Sequence, residues 1–141
     1  MKKPVIFAAA FATVLAGLAS ITPVPAVAKQ KLTGEEKLAK LLEGREAGRP
    51  VSCLPLGQAQ STEVIDKTAI VFRYGNTLYV NRPTNPDALD SDDVLITRPT
   101  SGQLCRLDTV QLRDRASFFY SGFVGLQDFV PYKKVKTPSD Q

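Results

Sequence analysis

Thr68-Ala-Ile-Val-Phe-Arg-Tyr-Gly-Asn-Thr-Leu-Tyr-Val-Asn-Arg82 is the stretch that decides the fold. Two runs rich in β-branched and aromatic residues flank Gly75-Asn76, and a two-residue connection that begins with glycine reads as a hairpin turn, because glycine supplies the positive φ such turns need. The turn sets the register, with Tyr74 facing Thr77, Phe72 facing Tyr79 and Val71 facing Val80. Ile70, Phe72, Tyr74 and Tyr79 then share one face, and Ala69, Val71, Leu78 and Val80 share the other. Both faces are largely apolar. Both must be covered, by a barrel interior or second sheet on one side and a helix or loop on the other.

Upstream, Thr33-Gly-Glu-Glu36 has the pattern of a capping box, and the spacing predicts a helix to about Ala47, stopped by Gly48 before Arg49-Pro50. Leu38, Leu41 and Leu42 form its apolar stripe, with Lys37, Lys40, Glu43 and Glu46 away from it. Packing on the sheet is the ordinary use of such a stripe; a partner-binding or membrane-surface helix is the alternative.

Downstream, Thr62 to Asp66 reads as a strand that joins the hairpin into a meander through a turn at Asp66-Lys67. A loop from Pro83 leads to a brief strand at Val94–Thr97. Gln103 to Arg113 is the longest strand candidate, but Cys105 and Leu107 lie on one parity and Val110 and Leu112 on the other. A bulge or break near Asp108-Thr109 would turn all four inward. The final strand lies around Phe129 to Lys133, where Pro131 suits only an edge or a bulge. The expected architecture is mainly β: a small antiparallel bent sheet or partly closed barrel of five or six strands with one N-terminal α-helix, a two-sheet sandwich being the alternative. Residues 34–133 form the domain, residues 29–33 a linker and residues 134–141 a tail.

Residues 1–28 read as a cleavable secretory signal: Lys2 and Lys3, an apolar middle, then Ala26 and Ala28 in an A-x-A arrangement, with cleavage expected after Ala28. The 25 residues between Lys3 and Lys29 are uncharged and long enough to span a membrane, but Pro23, Pro25 and the alanine-rich middle favour removal. The mature protein is therefore expected in the periplasm or outside the cell, with no stable membrane span. Losing Lys2 and Lys3 halves the formal charge of +4, which is too little to argue for nucleic acid.

The motif order Cys53-Leu-Pro-Leu, Val64-Ile-Asp66, Leu78-Tyr-Val-Asn-Arg82, Leu104-Cys-Arg-Leu-Asp108, Asp114-Arg115 and Gly125-Leu-Gln-Asp-Phe-Val-Pro131 resembles a family of small exported proteins of Gram-negative bacteria known only as a domain of unknown function. The resemblance spans most of the mature chain. It implies an exported, cysteine-bridged single domain and nothing about a substrate.

The chain has no histidine, so it lacks the usual neutral-pH general base and the commonest metal ligand. Its only cysteines, Cys53 and Cys105, are spaced unlike a redox pair or metal site, and export places them where disulfides form. A structural disulfide is the expected state, free buried thiols the alternative. Ser-His-Asp and Cys-His devices and the usual zinc sites are excluded. No glycine-rich phosphate or dinucleotide motif is present, and neither a cofactor nor a metal is expected. Asp87, Asp90, Asp92 and Asp93 offer oxygen ligands for calcium, but the EF-hand spacing fails, and a solvated acidic loop is the plainer reading.

Two surfaces remain as candidates. Arg82, Arg113 and Arg115 near Asp108 and Asp114 form either an anion-binding cluster or an internally paired rim. Phe118, Phe119 and Tyr120, with Phe123, are either core or an exposed contact surface. The function expected is a non-enzymatic binding or envelope-interaction module, with an envelope protein or a small anionic ligand as partner. A carboxylate-dependent hydrolase of the cell envelope is the alternative.

Overall fold

The structure, a computed structural model, describes residues 31–136. The signal read at residues 1–28 and residues 137–141 of the tail lie outside the described residues.

The chain runs α1 (Gly34–Leu41), β1 (Arg45–Ala47), β2 (Cys53–Pro55), β3 (Ser61–Ile65), β4 (Ala69–Tyr74), β5 (Thr77–Asn81), β6 (Asp93–Ile96), β7 (Gln103–Cys105), β8 (Thr109–Asp114), β9 (Tyr120–Gly125) and β10 (Phe129–Lys134). The fold is mainly β, as expected, and the described residues form ten antiparallel strands in three open sheets and one short α-helix. The largest sheet has five strands in the order β1-β10-β5-β4-β3; β6-β8-β9 and β2-β7 form the other two. The strands outnumber the five or six expected because several are only three residues long, too short to leave a periodic signal.

The hairpin has the register its turn dictates, with Tyr74 opposite Thr77, Phe72 opposite Tyr79 and Val71 opposite Val80. Its two faces belong to two separate cores. Ile70 and Phe72 pack with Leu54, Leu104, Val110, Leu112, Val124 and Phe129, beneath the smaller sheets. Ala69, Val71, Leu78 and Val80 pack with Leu38 of α1 and Ile65. The five-stranded sheet is thus the middle layer, and its edges are not joined into a barrel.

The capping box is formed: Thr33 Oγ1 accepts from Glu36 N, and the Glu36 carboxylate accepts from Thr33 N. The helix, however, ends at Leu41 rather than near Ala47. Gly44 takes a φ of 70°, and Arg45–Ala47 pairs with the end of β10 as an edge strand. Gaining a ladder for three residues there wins over another turn of an exposed helix.

Pro131 lies in an interior strand, not at an edge or a bulge, because its neighbour β1 has stopped. β1 pairs only with Tyr132–Lys134, Gly48 N donates to the Pro131 carbonyl, and pairing resumes where Val51 bridges Phe129. The proline has no N–H to offer, and the chain opposite it asks for none.

The break foreseen near Asp108-Thr109 separates β7 from β8, but it does not bury all four residues. Val110 and Leu112 are buried and Cys105 is half-buried, while Leu107, at a φ of 75°, points outward and is 83% exposed. The turn at residues 106–108 is tied down from behind, since Asp108 Oδ2 accepts from Cys105 N and Leu107 N donates to the Leu126 carbonyl.

The edge of β9 is closed by a side chain. Asn85 Nδ2 donates to the Phe123 carbonyl, and Asn85 Oδ1 accepts from Gly125 N. Among the described residues, no helix is long and apolar enough to cross a membrane.

Candidate functional site

The β8–β9 hairpin carries the candidate surface. Val110, Leu112 and Val124 face the core, which leaves Gln111 and Arg113 on the outer side. Tyr120 and Phe123 are three residues apart and would lie on opposite faces of a regular strand. A register shift between Leu112 and Arg113 inserts one residue into β9, so that Leu112 pairs with Gly122 and Arg113 with Tyr120. The bulge brings Tyr120 and Phe123 to the same outer face. Phe118 and Phe119 occupy the turn.

None of the four aromatics is core. Phe118, Phe119, Tyr120 and Phe123 are 58%, 76%, 58% and 54% exposed, which corrects the reading that buries them. Their periodicity gave no inward direction, because a bulge erases the strand alternation that would have shown it. Phe118 also adopts a φ of 58°, a left-handed conformation that costs a non-glycine residue about 1–2 kcal/mol.

The turn is rigid. Asp114 Oδ1 accepts from Ala116 N, Ser117 N and Ser117 Oγ. The Ser117 hydroxyl and then its amide hold the Asp114 carboxyl below the usual aspartate range. Arg113 donates to the Phe118 carbonyl, and Phe118 N donates to the Asp114 carbonyl.

The arginine and aspartate residues do not converge on one rim. Arg82, at the end of β5, pairs with Glu35 of α1. Asp108 and Asp114 cap separate turns. Arg115 N donates to the Asp92 carbonyl, and one guanidinium nitrogen reaches the Ser91 carbonyl at 3.4 Å. The expected pairing of Arg82, Arg113 and Arg115 with Asp108 and Asp114 is absent among the described residues, where the ion pairs are Arg82–Glu35 and Arg106–Asp128. Two spacings apart in sequence told nothing of this, because Glu35 lies on another element.

Cys53 and Cys105 are joined as a disulfide and are directly opposite one another in the β2–β7 ladder. Of the acidic loop, Asp90 Oδ1 accepts from Asp92 N, and Asp93 turns inward to meet the Ser121 hydroxyl. Among the described residues, no three acidic or sulfur side chains are grouped to hold a metal ion.

A cleft of about 300 Å³ opens between the edge strands β3 and β6. Leu56, Val64, Phe72 and Leu95 form its apolar part, and Asp93 and Arg115 are its charged residues. Sequence reasoning missed Asp93 as distinct from its acidic neighbours; the only signal was its position at the first residue of an apolar run. Neither a protein-family model, nor a curated protein, nor a solved structure matches the chain.

Proposed function

We propose that the protein is an exported, disulfide-stapled binding module that docks a protein of the cell envelope through the outer face and turn of the β8–β9 hairpin. The observation that carries this reading is the exposure of four aromatic residues, Phe118, Phe119, Tyr120 and Phe123, on one hairpin whose turn is held by hydrogen bonds. Clustered aromatics beside arginine are the usual composition of an interface centre, and left in water they are unfavourable. Phe118 also holds an unfavourable backbone conformation at that spot, which a merely tolerated surface residue has no reason to keep.

A protein partner suits the surroundings better than an anionic bilayer. Asp92 and Asp114 lie beside Arg115, so the charge near the turn is mixed rather than basic. Export is supported by the leader-like composition of residues 1–28 and by the Cys53–Cys105 bridge, which belongs to oxidising compartments. A binding role rather than a hydrolytic one is supported by the state of the candidate carboxylates. Asp108 and Asp114 are occupied as turn caps, and the cleft beside the hairpin holds one carboxylate, not a converging pair.

The test is a photoreactive phenylalanine analogue at position 119, irradiated in intact cells, with the same analogue at the exposed Lys67 as control. One discrete heteromeric adduct at 119, none at 67, and loss of the adduct in a Phe118→Ser, Tyr120→Ser background is the expected result. An adduct of the protein with itself alone, equal labelling at both positions, or sedimentation of the purified domain with anionic lipid vesicles would overturn it.

A further inference from the structure

The cleft between β3 and β6 holds two opposite charges that do not meet. Asp93 is only 7% exposed, and its carboxylate has one partner, the Ser121 hydroxyl, which donates to Oδ1 at 2.8 Å. No described cation lies within ion-pair distance of it. Oδ2 takes no bond from a described residue, yet no buried side-chain oxygen is left without a partner, so Oδ2 is reached from the cleft that Asp93 lines. A carboxylate this enclosed is unfavourable until a donor or cation compensates it.

Arg115 lines the same cleft, but it is exposed and is held by one long bond to the Ser91 carbonyl, so most of its donors are free. Asp93 and Arg115 come from the same end of the β6–β8 ladder, where Asp93 pairs with Asp114 and Arg115 N donates to the Asp92 carbonyl, and Leu56, Val64, Phe72 and Leu95 supply the cleft's apolar lining. A carboxylate, a guanidinium and aliphatic surface in one cleft are the complement of a small molecule that carries an ammonium, a carboxylate and an apolar side chain. The volume, about 300 Å³, is at the lower end for ligand sites and suits such a molecule rather than a larger one.

We propose that this cleft binds an apolar α-amino acid, the ammonium on Asp93, the carboxylate on Arg115 and the side chain against Phe72 and Leu95. The ammonium replaces water at Oδ2 with a charge-assisted bond, and the arginine fork takes the carboxylate in two parallel bonds. Neither group suffices alone. Because the Asp93 partner is Ser121, which lies in β9 between Tyr120 and Gly122, the site borders the aromatic hairpin but does not use its exposed rings.

The test is calorimetric titration of the oxidised protein with leucine, and with isopentylamine and 4-methylpentanoate, each of which keeps one of its charged groups. Leucine is expected to bind saturably, with a Kd between about 1 μM and 1 mM, and each single-charge analogue at least about tenfold more weakly. Asp93→Asn keeps an acceptor for Ser121, and Arg115→Gln lies on the surface; each should weaken leucine about tenfold or more. Thr62→Trp, which fills the cleft from an exposed edge strand without touching either charge, should abolish binding and covers the case in which Asp93→Asn fails to fold. Absence of saturation with leucine, equal binding of 4-methylpentanoate, or full binding by Thr62→Trp would overturn the proposal. The crosslinking result at position 119 is independent of all three.

Discussion

Arg82 and Glu35, 47 residues apart, meet in a two-pronged ion pair, with guanidinium nitrogens 2.6 and 2.9 Å from the two carboxylate oxygens. The pair fastens the first turn of α1 to the end of β5, over the core formed by Leu38, Val71 and Val80. Arg82 lowers the Glu35 pKa, and Glu35 raises that of Arg82.

Both side chains are more than half exposed, so water and salt screen the attraction. A double-mutant cycle with Arg82→Ala and Glu35→Ala, measured by urea unfolding, should give a coupling of no more than about 1 kcal/mol, falling further in high salt. A coupling of about 3 kcal/mol would mean that the pair is sheltered in solution.

The Cys53–Cys105 bridge closes a separation of 52 residues across a sheet of only three residue pairs. So short a ladder is marginal by itself. Replacing both cysteines with serine should lower unfolding stability by about 4 kcal/mol in the chain-entropy account. Alkylation of the native protein without reductant should label neither cysteine, and rapid labelling of both would remove the staple from the account.

Asp66 Oδ1 accepts from Ser91 N at 2.6 Å, which ties the β3–β4 turn to the loop before β6. The Ser91 hydroxyl and amide lower the Asp66 pKa against the smaller opposing effect of burial. A carboxylate with a lower pKa folded than unfolded binds fewer protons in the native state. Its contribution is therefore complete above the ordinary aspartate value of 3.8 and is lost as the pH falls below it. Thermal melting of Asp66→Asn across that range should show a shallower acid loss than the parent, and parallel curves would rule the contact out as a source of acid sensitivity.

Gly34 is the first residue of α1, where alanine would ordinarily be the better helix former by about 1 kcal/mol. Here a Cβ would run into the Thr68 hydroxyl and the Asp66 carbonyl. Gly34→Ala should therefore destabilise rather than stabilise, by about 1–3 kcal/mol, the size of other overpacked sites. A raised melting temperature would show that the helix can lift off the turn without penalty.

The hairpin and its two-faced burial were legible because a two-residue turn fixes register and alternation fixes sides, both local properties. The capping box was legible for the same reason. What escaped were features set by partners distant in the chain. Arg45–Ala47 became a strand because β10 offers it a ladder, and Pro131 is tolerated inside a sheet because β1 stops beside it. The site was less legible still. The bulge that gathers Tyr120 with Phe123, and the inward turn of Asp93 onto Ser121, depend on a register that no spacing within β9 or the acidic loop records.

Asn85 finishes the margin of the β6-β8-β9 sheet with a single amide, whose donor and acceptor match those of a peptide unit. A leucine in its place would leave the Phe123 carbonyl and the Gly125 N–H bare, in the arrangement that recruits another polypeptide. At this margin the guard against a further strand is a residue outside every strand and outside both cores, helped by Thr84 N, which donates to the Gly125 carbonyl.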